Sequence, residues 1–363
     1  MISNMLQGLI NKKIVAFLIL GSILITFSCN KNDDTINPLD PDIQIIDEET
    51  EVLDYSEPPF NLNAIQSSFS ENIVYGPYDK NIFDIFIPDS EEPTSLVIFL
   101  HGGGFLGGDK SYFYTTQQND AWDFPSEISN LLENNIAVAN INYRVLQEND
   151  DDGIIKPLSD CKRALQFIRN KAALLNIDKE NIVLYGVSAG AGASLWLNFH
   201  DDMADTSNSD EVLQESTRVS ATVALETQAT YDLVIWAPRI FSEYNITFEK
   251  LLQLDENRVF SFYGVNTLEE IYSPEIEAYR NEVDMLGHIS NDDPSFWASN
   301  IIRPVTLPNT VGLVTHHAYH VQELKNIADI ENVTNVSYYG NPLIYEDTSE
   351  ETAVDFIVRK LNE

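Results

Sequence analysis

Two short runs of residues carry reactive potential. The first is Gly186-Val187-Ser188-Ala189-Gly190, which follows the apolar stretch Ile182 to Tyr185 and leads into Ala191-Gly192-Ala193-Ser194-Leu195-Trp196. Small residues on both sides of a serine, between a strand and a helix, permit the sharp turn that pushes a hydroxyl out at a sheet edge. Such a serine starts a helix, where the amide of Ala189 and the helix dipole favour a developing negative charge. The second run is His101-Gly102-Gly103-Gly104-Phe105, directly after Leu96 to Leu100. Three successive glycines let main-chain N–H groups, here those of Gly103 and Gly104, approach a reacting carbonyl. The chemistry these runs suggest together is nucleophilic attack by Ser188 on a carbonyl carbon, with the oxyanion held by backbone amides.

These runs need elements to carry them. Ile73-Val74-Tyr75 and Ile82 to Ile87 have strand chemistry and flank the turn signal Gly76-Pro77, so a hairpin opens the body. Uninterrupted apolar runs follow at Leu96–Leu100, Ile136–Ala139, Ile182–Tyr185 and Val219–Leu225, with Val311–Val314 and Val333–Tyr339 as later strands. Runs without alternation suit strands covered on both faces. Cys161, Ala164, Leu165, Ile168 and Ala172 follow helical spacing, with Ser159-Asp160 after Pro157 as the start signal. Alternating strand and helix predict a mostly parallel central sheet flanked by helices. Residues 227–309, rich in aromatic side chains, are too long for one crossover and are expected to form a cap or insertion between the sixth and seventh core strands.

The runs Leu96 to Lys110, Asn142-Tyr143-Arg144, Asp160 with Arg163-Ala164, Asn176-Ile177-Asp178 and Gly186 to Gly190 resemble the carboxylesterase branch of the α/β-hydrolases, which includes hormone-sensitive-lipase-like and feruloyl-esterase-like members. The resemblance covers about residues 70–200 and implies an α/β-hydrolase fold. It also implies a serine nucleophile, a histidine base, an acid that orients it, an acyl-enzyme intermediate and no cofactor. Amide hydrolysis shares all of these motifs.

The base and the acid do not follow the family order, in which the acid comes after the penultimate strand and the histidine after the last. With Val311 to Thr315 as the penultimate strand, His316-His317-Ala318-Tyr319-His320 come next, without an Asp among them. No His follows the last strand. His101 belongs to the glycine loop, His200 ends the helix after Ser188 and His288 lies in the insertion. His316 or His317 is therefore the expected base, with an acid from elsewhere: Asp292 or Asp293 foremost, then Glu226, Asp232, Glu346 or Asp347. Two alternatives stand beside this. His316 and His320, four apart, are a conceivable metal pair, although no HExxH pattern supports one and no metal site is expected. The other is a decayed site in a cell-surface binding module.

The amino-terminal segment is an address. Lys12-Lys13 precede Ile14 to Ser28, an apolar stretch too short for a bilayer span and suited to a signal peptide over residues 1–28. Thr26-Phe27-Ser28-Cys29 resembles a bacterial lipobox, which implies cleavage before Cys29 and its lipidation. Residues 30–57 hold ten acidic side chains against Lys31 alone, so residues 29–60 are expected to be an acidic flexible tether, with the hydrolase domain over 61–363. An outer-membrane or cell-surface lipoprotein is expected, with a periplasm-facing one as the alternative. The membrane is then met only through the lipid anchor.

Composition narrows the partners. The 363 residues carry 21 Lys+Arg against 57 Asp+Glu, a formal net charge of −36. Without a basic cluster a nucleic-acid backbone is excluded, and long-range repulsion disfavours anionic substrates. A small-molecule or carbohydrate ester is the expected substrate of this serine esterase, the carbohydrate acyl group resting on the resemblance and the outward address.

Overall fold

The computed structural model describes residues 52–116, 122–147 and 150–363. The expected signal peptide, the expected lipobox with Cys29 and the expected tether up to residue 51 lie outside the described residues. Nine strands form one sheet in the order β1-β2-β4-β3-β5-β6-β7-β8-β9. They are β1 (Ser67–Val74), β2 (Ile82–Pro88), β3 (Thr94–Leu100), β4 (Ile136–Ile141), β5 (Ile177–Val187), β6 (Ala221–Leu225), β7 (Ser295–Asn300), β8 (Asn335–Tyr339) and β9 (Tyr345–Glu346). The hairpin of β1 and β2 joins β4 in antiparallel register. From β4 through β8 the strands are parallel, and β9 closes the far edge antiparallel. This is the α/β-hydrolase architecture expected from the motifs.

Helices cover both faces. On one side α1 (Phe124–Glu133) and α11 (Ala353–Leu361) meet the sheet through Phe124, Ile128, Leu131, Phe356 and Ile357. On the other, α2 (Ile155–Asn170), α3 (Ala189–Phe199) and α10 (Ala318–Glu331) bury Leu158, Leu165, Leu195 and Leu324. With apolar side chains on both faces the strands need no alternation, which is why the runs were legible. Helix α2 begins at Ile155, a turn earlier than Ser159-Asp160 suggested. Asp160 is instead a buried side chain that binds Arg144 and Asn81.

Three expectations need correction. Val311 to Val314 is not a strand: it lies in a short helix, α9 (Val311–Thr315), capped by the Thr310 side chain. A four-residue apolar run has no period long enough to separate helix from strand. The penultimate parallel strand is Ser295–Asn300, inside what was taken as the insertion. All six of its residues, SFWASN, are buried, but its polar members concealed it. The insertion over 227–309 therefore ends before β7. Residues 226–294 carry α4 (Phe248–Leu252), α5 (Glu256–Tyr263), α6 (Leu268–Ile271), α7 (Pro274–Glu282) and α8 (Met285–His288), and a second excursion, 301–317, follows β7. Finally, residues 52–60 are not tether: Leu53 is buried in the core, Ser56 pairs with Phe69, and Phe60 packs on Phe86.

Candidate active site

Ser188 sits where β5 turns into α3. Its φ of 53° and ψ of −115° lie in a region that side chains rarely enter. The surroundings hold this strained turn in place. The Ser188 amide donates to the Leu225 carbonyl at 2.8 Å, and its carbonyl accepts from the Gly192 amide at 3.0 Å. A Cβ at Gly190 would run into the backbone of Leu100, so only glycine lets α3 approach the end of β3.

The glycine loop reaches the same place from β3. His101 stacks on Tyr143 with ring centroids 4.2 Å apart, and the Tyr143 hydroxyl donates to the His101 carbonyl. Burial pushes His101 down to about 4, so it stays neutral and braces the turn as expected. Gly103 and Gly104 have φ of 110° and 62°. At Gly104 a side chain would also strike the Arg258 guanidinium, whose Nη2 donates to the Gly104 carbonyl at 3.4 Å. Gly103, Gly104 and Ala189 line one cavity of about 730 Å³ together with Ser188 and His316.

His316 comes from the excursion between β7 and β8, at the end of α9. Its Nε2 is 2.8 Å from Ser188 Oγ. Burial, aided by the cations Arg303 and Arg258, pushes the imidazole down to about 4. At neutral pH the imidazole is therefore uncharged, and in the tautomer with its proton on Nδ1 the Nε2 lone pair faces the Ser188 hydroxyl. Among the described residues no carboxylate hydrogen-bonds to the other ring nitrogen.

The structure separates the two adjacent histidines. His317 turns away: its Nδ1 accepts from the Tyr319 amide as the cap of α10, and its Nε2 lies 3.2 Å from the Thr306 carbonyl. His320 is not a metal partner of His316, because its Nε2–H donates to the Val314 carbonyl at 2.8 Å and its Nδ1 accepts from the Ala229 amide at 3.2 Å. Among the described residues no cluster of three or more His, Cys, Asp or Glu side chains is arranged to hold a metal ion.

The acid candidates fare differently. Asp292 and Asp293 are wrong as partners of the base: they precede β7, at the amino end of the parallel sheet, whereas Ser188 lies at the carboxyl end. Asp293 binds Arg218 at 3.2 Å and burial raises it to about 6, while Asp292 accepts from the Ser290 hydroxyl. Asp232 is bound to Arg280 and Tyr263, and neither Glu346 nor Asp347 contacts His316. Glu226, just after β6, does line the cavity, and its Oε1 accepts from the amides of Ile301 and Ile302 at 3.0 and 3.2 Å.

Sequence reasoning missed the residues that position the histidine loop. Gln228 Nε2 donates to the Thr315 carbonyl at 2.8 Å, and Asn300 Nδ2 donates to the carbonyls of Thr227 and His317 at 2.9 and 3.0 Å. A polar side chain at the carboxyl end of a buried strand was the available signal at Asn300, once β7 is recognised.

The BD-FAE family model matches residues 83–306, from β2 through β7 and beyond the serine turn. The chain belongs to the BD-FAE family, an esterase family of the α/β-hydrolases. Within BD-FAE the match spans both motif loops and ends before His316. Two curated relatives are similar over part of their length: the probable isoprenylcysteine alpha-carbonyl methylesterases ICMEL1 and ICMEL2 of Arabidopsis thaliana. They are 27% and 31% identical over 151 and 135 residues, which cover 41% and 37% of this chain. The chain spans only 29% and 28% of those proteins. A solved truncated form of a carbohydrate esterase from gut microbiota aligns with a TM-score of 0.57 at 16% identity, covering 82% of this chain and 98% of that one. At that identity the likeness speaks for the fold.

Proposed function

We propose that this BD-FAE protein is a serine esterase that works through an acyl-enzyme, with Ser188 as nucleophile, His316 as base and the amides of Gly103, Gly104 and Ala189 as oxyanion donors. The observation that carries the reading is the 2.8 Å contact between Ser188 Oγ and His316 Nε2 inside the cavity bounded by the glycine loop. Oγ attacks the ester carbonyl carbon while its proton passes to Nε2. The tetrahedral oxyanion then collapses, the C–O bond to the alcohol breaks, and the imidazolium returns the proton to the leaving oxygen. Water repeats the sequence on the acyl-enzyme and frees the acid. Preorganised amides aimed at the oxyanion typically contribute about 10²–10³ in rate apiece, so turnover does not depend on a carboxylate hydrogen-bonded to His316.

The substrate reading is an acyl group on a carbohydrate or other small alcohol, and the address reading is a lipoprotein acylated at Cys29 and exposed outside the cytoplasm. Treating the full-length protein with a fluorophosphonate and reading the mass shift tests the mechanism. One adduct is expected, located at Ser188 and lost in Ser188→Ala. A folded protein that takes no adduct overturns the reading in favour of a binding module.

A further inference from the structure

Two arginines line the cavity of Ser188 and His316. The chain's other arginines are engaged elsewhere. Arg144, Arg163, Arg218, Arg239, Arg280 and Arg359 each lie within ion-pair distance of a carboxylate, and Arg169 donates to the Arg218 carbonyl. Among the described residues Arg258 and Arg303 have no carboxylate within ion-pair distance, although Asp255 stands near enough to favour the Arg258 charge, in a chain where acidic side chains outnumber basic ones 57 to 21. Arg303 stands exposed at the rim, whereas Arg258 is partly buried on α5. Of its five possible N–H donors, one is spent on the 3.4 Å contact with the Gly104 carbonyl.

Each carboxylate that shares the cavity has at least one oxygen engaged by an amide. Asp109 accepts from the Ser111 amide and from Asn142, Glu226 accepts from the amides of Ile301 and Ile302, and Asp255 caps α5 through the Arg258 amide. A partly buried guanidinium that no carboxylate holds within ion-pair distance favours an anion brought to it from outside. The wall beside Arg258 is apolar, with Phe248, Leu251, Val259 and Phe262, which strengthens a charge pair formed there.

We propose that the cavity takes an ester bearing a carboxylate, which Arg258 and Arg303 hold while the scissile carbonyl faces Ser188. The proposal rests on the serine-esterase reading and narrows its substrate class. A carboxylate matches the guanidinium fork in a way a neutral hydroxyl does not. It also answers an electrostatic problem of the site. The two cations disfavour the imidazolium that His316 must become, among the described residues no carboxylate hydrogen-bonds to its far nitrogen, and an anion brought by the substrate offsets both. The repulsion expected from the net charge acts at long range and is screened beyond about 8 Å at physiological ionic strength, so contact pairs decide once the substrate enters.

Two substrate pairs test the idea on the full-length protein: 4-acetoxybenzoate against 4-acetoxybenzamide, with the charge on the alcohol side, and monophenyl adipate against phenyl hexanoate, with the charge on the acyl side. In one pair wild type should favour the charged ester by about 10- to 100-fold in kcat/KM, the range of a charge-assisted hydrogen-bonded contact. R258Q and the R258Q/R303Q double variant should lose that preference through KM, R303Q should lose part of it, and R258K should retain part. Equal ratios in all variants overturn the proposal. So does an equal loss on charged and neutral esters in R258Q, which assigns Arg258 to support of the glycine loop alone. Failure of the underlying reading looks different: wild type then hydrolyses none of the four esters and takes no fluorophosphonate adduct, which overturns both.

Discussion

Gln228 donates its side-chain amide to the Thr315 carbonyl at 2.8 Å, tying the loop after β6 to the residue just before His316. Asn300 fixes the His317 carbonyl on the other side, at 3.0 Å. His320 reaches back from α10 to the Val314 carbonyl. Three buried polar side chains from three different segments thus hold main-chain carbonyls on both sides of His316. A base delivered from an irregular excursion rather than from a strand end needs such bracing, because a displacement of about 1 Å can cost on the order of 100-fold in rate.

Gln228→Ala therefore should slow catalysis by loosening the loop that carries His316, since its side-chain amide, although at the cavity wall, is spent on the Thr315 carbonyl. The expected result is a fall in kcat of about 10- to 100-fold with KM little changed, and a matching fall in the rate of fluorophosphonate labelling. Losing this hydrogen bond to the half-buried Thr315 carbonyl also costs stability, about 0.5–1.5 kcal/mol. Unchanged labelling kinetics in a folded variant would show that the loop holds itself.

Neighbouring histidines should give opposite results. His316→Ala removes the group 2.8 Å from Ser188 Oγ and is expected to lower kcat by about 10³-fold or more, as loss of a base does in triad enzymes. His317→Ala removes the cap of α10. It should lower stability by about 1 kcal/mol and leave labelling of Ser188 in place. Mass spectrometry of the adducts and thermal melts separate the two roles, and labelling lost in the His317 variant rather than the His316 variant would reverse the assignment.

What the sequence displayed well were features encoded locally. Leu96–Leu100 followed by three glycines, and Ile182–Tyr185 followed by a serine among small residues, each show element and turn within a dozen positions. Both became β3 and β5 with their loops at one sheet edge. Features whose meaning is non-local were hidden. β7 is a buried strand of SFWASN: Asn300 is satisfied by carbonyls from residues 227 and 317, so its polarity is accommodated by partners that no window contains. With β7 unseen, VGLV was the next best strand, although Thr310 caps it as a helix. Asp292 and Asp293 then seemed placed for catalysis, when in fact they precede a parallel strand and bind Arg218. The choice between His316 and His317 depends on a half-turn of backbone that spacing does not express.

Lipidation at Cys29 predicts a change of compartment rather than of activity. Expressed in a Gram-negative host, the wild-type chain should incorporate a palmitate analogue, whereas Cys29→Ala should not and should keep its esterase activity. Label retained in the Cys29 variant would refute the lipobox reading.

Acid pH separates the catalytic and the structural histidines. Burial, with Arg303 and Arg258 nearby, pushes His316 down to about 4, so the base remains neutral well below the ordinary histidine value of about 6.5. For a neutral ester, kcat/KM should stay flat from pH 7 to about 5 and fall only near 4, as protonation removes the lone pair on Nε2. Stability behaves otherwise. His101, His316 and His320 are pushed down to about 4, 4 and 3 by burial, whereas in the unfolded chain each takes up a proton near 6.5. Between those values the unfolded state binds more protons, so stability present above pH 6.5 is lost progressively as the pH falls toward 4. The protein should thus melt at steadily lower temperature over a range in which its rate is unchanged. A kcat/KM midpoint near 6.5 would mean that some other group, or a solvent-exposed His316, controls the reaction. R258Q/R303Q should move the midpoint upward from 4, short of 6.5, because burial acts before the two cations in setting it.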